Sequence, residues 1–64
     1  MIQTYRLTKD NEKFIAILSY NEDEPVTLQI WQFCEPIAIK VFDEPMKAID
    51  YLVENYKITY SKIV

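Results

Sequence analysis

A chain of 64 residues with no glycine, no histidine and a single cysteine has little material for catalysis. Phosphate loops, dinucleotide fingerprints and nucleophile elbows need glycine. Imidazole bases and ligands need histidine, and one cysteine closes neither an intrachain disulfide nor a zinc knuckle. The net charge is −3, and eight acids between residues 22 and 54 face only Lys40 and Lys47. That balance disfavours general nucleic-acid binding, which needs a basic surface to displace counterions. It leaves open a small basic patch where the two ends of the chain meet in space.

The length predicts one domain over residues 1–64, burying roughly 60% of its unfolded surface. Half of the residues are hydrophobic, enough to fold and to argue against disorder. The longest apolar run, Phe14 to Leu18, is far too short to span a bilayer. Met1 to Arg6 lacks the basic region and long apolar stretch of a signal peptide. With a lone Cys34, the expected location is a reducing cytoplasm.

Met1 to Leu7 is β-prone and predicts a first strand. Asp10-Asn11 predicts a hairpin turn, with Asn11 at positive φ, because asparagine tolerates the left-handed region. Lys13 to Tyr20 predicts a second strand, its nearly continuous apolar run suiting a central place in the sheet. Asn21 to Pro25 predicts a solvated turn. Val26 to Phe33 alternates, with Val26, Leu28 and Ile30 on one face and Trp31 and Phe33 on the other. After a break at Cys34-Glu35-Pro36, Ile37 to Phe42 predicts a fourth strand. Its Ile37, Ile39 and Val41 are expected inward, with Ala38, Lys40 and Phe42 on the opposite face.

Asp43-Glu44-Pro45 predicts a helix start: proline suits the first helical position, and acids suit the exposed amides. Met46, Ile49, Leu52, Val53 and Tyr56, extended by Ala48, then fall at helical spacing, and Asn55 is expected to end the helix. Lys57 to Val64 predicts a fifth strand. The fold expected is α+β: an antiparallel sheet in β-β-β-β-α-β order with one amphipathic helix on one face.

The candidate contact residues follow from that arrangement. If the helix covers Val26, Leu28 and Ile30, then Trp31 and Phe33, joined by Phe42, Ile15 and Ile17, stand on the outer face. An exposed apolar sheet face is a binding surface, most simply that of a homodimer. Glu22, Asp23 and Glu24 are candidates for electrostatic docking, although a solvated turn accounts for them as well. Their spacing lacks the pattern and glycine of a calcium loop. Cys34 has neither the base nor the cation that would activate a thiol. Asp43 and Glu44 are explained by capping. No catalytic residue, metal or cofactor is expected.

The function expected is a small non-catalytic interaction protein that binds and regulates or inhibits a larger protein. Its acidic and aromatic surface would meet a basic partner. One form is a nucleic-acid mimic of the kind phages and mobile elements encode. The alternative is a dimeric single-stranded nucleic-acid binder, with tyrosines beside Arg6, Lys13, Lys57 and Lys62 as a stacking platform.

Overall fold

The elements run β1 (Ile2–Lys9), β2 (Glu12–Ser19), β3 (Val26–Gln32), β4 (Glu35–Phe42), α1 (Pro45–Asn55) and β5 (Lys57–Ile63), the order expected. The computed structural model describes residues 1–63, so Val64, expected to end the fifth strand, lies outside the described residues. The sheet has five strands in the order β4-β3-β2-β1-β5, every neighbouring pair antiparallel. Short links make β1 to β4 a meander, because so few residues cannot carry a parallel crossover. The helix then leads the chain from one sheet edge to the other. Four strand spacings amount to roughly 19 Å, and the 11 residues of α1 reach roughly 16 Å.

Strand alternation decides which side chains lie beneath the helix. Tyr5 and Leu7, then Phe14, Ala16 and Leu18, then Val26, Leu28 and Ile30 are buried on that face, and Ala48 and Leu52 come down on them from α1. Phe14 meets Tyr56 edge-on with ring centroids 5.3 Å apart. The helical stripe is narrower than its spacing predicts: Met46 and Val53 stay mostly exposed, and Ile49, Tyr51 and Tyr56 flank Ala48 and Leu52.

The fourth strand reverses its expected faces. Register places Phe42 opposite Val26, Lys40 opposite Leu28 and Ala38 opposite Ile30, so these three share the helix side. Ile37, Ile39 and Val41 point outward and are exposed. The cause is the partner strand: once Val26, Leu28 and Ile30 turn inward, directly opposed residues must follow. Phe42 therefore leaves the expected outer face and packs on Tyr51, ring centroids 6.0 Å apart. Lys40 lays its ammonium 5.0 Å from the centre of the same ring, an aliphatic stem covering apolar surface with a solvated head.

Two hairpins close with two-residue loops. Asp10 (φ 53°) and Asn11 (φ 65°) join the paired Lys9 and Glu12, so both residues, not Asn11 alone, adopt the left-handed conformation of a type I′ turn. Phe33 (φ 52°) and Cys34 (φ 62°) do the same between Gln32 and Glu35. The third strand thus stops before Phe33, and Glu35 and Pro36, expected in the break, belong to β4. Pro36 is tolerated because β4 is an edge strand.

The helix is not capped as expected. Glu44 occupies the N-cap without a side-chain bond to the exposed amides. Asp43 instead pairs with Lys47 one turn on, at 2.9 Å, and that hydrogen bond holds its carboxyl below the usual value. At the other end the Asn55 side-chain amide donates to the Tyr51 carbonyl (2.8 Å), while the chain turns extended at Tyr56. Asparagine thus closes the helix through its side chain rather than through a left-handed backbone.

Burial pushes the Tyr5 and Tyr56 hydroxyls above the ordinary value of 10.0, with Tyr20 and Tyr51 adding to the respective shifts. The folded chain then keeps these protons to higher pH than the unfolded chain does. The resulting stability is complete below about pH 10 and is lost as pH rises through the folded values. We expect the urea midpoint to fall more steeply above about pH 10 than in a Tyr5→Phe/Tyr56→Phe variant. Parallel curves would show that neither hydroxyl contributes.

Candidate functional site

One helix covers one face of the sheet, and no described element covers the other. Register reads that outer face as cross-strand rows. One row runs Tyr60, Arg6, Ile15, Trp31, Pro36 from β5 to β4. The next runs Lys62, Thr4, Ile17, Gln29, Ile39, and a third continues Ile2, Ser19, Thr27, Val41. Lys57, Thr8 and Lys13 form a short row toward the Asp10-Asn11 turn.

The two halves of this face differ in chemistry. The β2–β4 half is aliphatic and aromatic: Ile15 is 51% exposed, Ile39 64% and Val41 65%. A β-bulge beside Trp31 sets Ile37 there as well, about half exposed. Trp31 is half-buried, and its indole N–H donates to the Gln29 side-chain oxygen at 2.9 Å. This bond satisfies the ring's one donor and leaves its apolar surface for contact. The β1–β5 half carries Arg6, Lys13, Lys57 and Lys62, four of the seven basic residues. None of the ten acids lies in these rows. The Arg6 guanidinium sits 5.2 Å from the centre of the Tyr60 ring.

The residues singled out from the sequence do not form one surface. Trp31, Ile15 and Ile17 stand on the outer face, as expected. Phe33 is at the tip of the β3–β4 turn, 87% exposed, beyond the end of the strand rather than beside Trp31 on it. Phe42 is on the helix side. Glu22, Asp23 and Glu24 are exposed in the β2–β3 loop at the opposite end of β3. The seven residues of β3 put roughly 20 Å between that loop and Phe33. The Asn21 amide donates to Glu24 at 3.2 Å, tying the loop to itself. Sequence reasoning missed Ile37, Ile39 and Val41 as surface residues, since their alternation alone does not say which face is inside.

Among the described residues, no three acids, cysteines or histidines gather as a metal-holding group, and no helix is long and apolar enough to cross a membrane. Cys34 is a free, exposed thiol in the turn beside Phe33. No protein-family model matches the chain, and neither a curated protein nor a solved structure matches it.

Proposed function

We propose that the chain is a small non-catalytic interaction protein that binds and regulates a larger protein, using the apolar β2–β4 half of the outer sheet face. The observation that carries this reading is the placement of Trp31, Ile15, Ile37, Ile39 and Val41 together on a face that no described element covers. Monomers rarely leave contiguous apolar surface of this kind open. Tryptophan is among the side-chain types enriched in binding hot spots. The exposed Phe33 tip stands beyond the Trp31 end of β3. The acidic loop at Glu22–Glu24 adjoins the Val41 end of this half and adds none of its apolar side chains.

The test starts from a partner captured on the immobilised chain, purified and titrated directly. Trp31→Ala is expected to weaken binding by roughly 30-fold or more, the scale of a hot-spot residue. Ile39→Lys, which retains an edge-strand residue but places a charge in the contact, is expected to weaken it comparably. Neutralising Glu22, Asp23 and Glu24 together should leave affinity unchanged. Full affinity in both Trp31→Ala and Ile39→Lys would overturn the reading. Light scattering on the two variants shows whether a second copy of the chain is the protein that covers this face.

A further inference from the structure

The other half of the outer face has a chemistry that the apolar contact does not use. We infer that the β1–β5 half binds single-stranded nucleic acid, with Arg6, Lys13, Lys57 and Lys62 on the phosphates and the Tyr60 ring beneath a base.

Three observations converge on this. First, cations gather on this half of the face. The four cations stand in rows that contain no acid; Asp10 borders Lys13 and Lys57 at the β1–β2 turn, and the other nine acids lie elsewhere. The only ion pair among the described residues, Asp43–Lys47, is at the start of the helix, so none of the four outer cations has an ion-pair partner among the described residues. The net −3 therefore misdescribes what a ligand on this face meets.

Second, an aromatic ring is set among those cations. Tyr60 is 52% exposed and directly opposite Arg6, whose guanidinium lies over it. Stacking on an exposed ring flanked by a cation is available to an unpaired base and not to a base inside a duplex. Third, the intervening positions suit a backbone. Thr8 lies between Lys57 and Lys13, and Thr4 lies opposite Lys62 and two positions from Arg6, and hydroxyls donate readily to phosphate oxygens. Lys57 and Lys62 pair with Thr8 and Thr4, four positions apart on β1, roughly 13 Å at strand spacing, so the charges line a track rather than a point.

Anisotropy of a labelled oligo(dT) of about 12 nucleotides tests this at two salt concentrations. With four phosphates neutralised, affinity should fall about 50-fold between roughly 50 and 200 mM salt, a log–log slope near −2.8. Arg6→Gln/Lys62→Gln should reduce that slope by about 1.4. Tyr60→Ala should weaken binding at least about fivefold, and Tyr60→Phe should restore it. Ile39→Lys should leave oligonucleotide binding intact, so failure here and failure of the protein-binding reading are told apart by which variants respond. Circular dichroism confirms that each variant is folded. No binding at micromolar protein in low salt would overturn the inference. So would equal binding by wild type, Tyr60→Ala and Arg6→Gln/Lys62→Gln. Displacement by polyglutamate at equal charge would also overturn it and identify an acidic protein as the ligand.

Discussion

Leu52→Ala is expected to unfold most of the population. Leu52 is fully buried, and Ala48 is the only other fully buried side chain of α1. The helix is thus held to the sheet by one large anchor and a partly exposed rim of Ile49, Tyr51 and Tyr56. Truncating such a leucine costs about 2–5 kcal/mol, because the cavity collapses only in part. A domain of this size without disulfide or metal rarely holds more than about 3–5 kcal/mol in total. The loss is therefore comparable with everything available. Val53→Ala, one position along and 62% exposed, should change stability by no more than about 0.5 kcal/mol. Urea titrations followed by far-ultraviolet dichroism compare the two. Matching midpoints would show that the helix does not clamp the sheet.

The opposite sign is expected at the β3–β4 turn. Phe33 and Cys34 both occupy the left-handed region, which costs an ordinary L-residue about 1–2 kcal/mol. Asn-Gly is the natural pair for this geometry. Replacing Phe33-Cys34 by Asn-Gly should stabilise the fold by about 1–2 kcal/mol after allowing for the added freedom of glycine in the unfolded chain. For a domain of this size that is a rise of roughly 5–15 °C in Tm. Nearby, the Gln32 side-chain nitrogen is buried with no partner among the described residues, a second local cost at the same hairpin end. Unfavourable backbone conformations persist where they serve something else. The exposed Phe33 ring is what this conformation presents, so the more stable variant should also bind the captured partner more weakly. A variant that is more stable and binds as tightly would leave the turn without a functional role.

What the sequence disclosed follows from where local chemistry and global packing agree. The helix start at Pro45 and the Asp10-Asn11 hairpin carry residue types that favour those conformations. The inward row of β3 was legible because its alternation is clean. The Phe33-Cys34 turn was not, since neither residue prefers left-handed backbone and the cost shows only in the structure. The faces of β4 were misread for a different reason. An edge strand with apolar residues at alternate positions looks alike whether that row is core or surface, and only pairing with β3 decides. The candidate site was half visible: Trp31 could be placed, but charge summed along the chain concealed the gathering of four cations in acid-free rows of the outer face.

That division of the face also has a consequence for how each half is held together. The apolar half is built by β2, β3 and β4, which fold back on one another through short connections. The cationic half is assembled from β1 and β5, where Arg6 meets Tyr60 and Gln3 meets Ile63 across most of the chain. Closing so long a loop costs roughly 3 kcal/mol more than closing a two-residue turn, an amount comparable with the whole stability of a domain this size. The apolar half is thus held by near neighbours in sequence, and the cationic half by the most distant pairing in the sheet. The two halves of one sheet face differ in the reach of the contacts that build them.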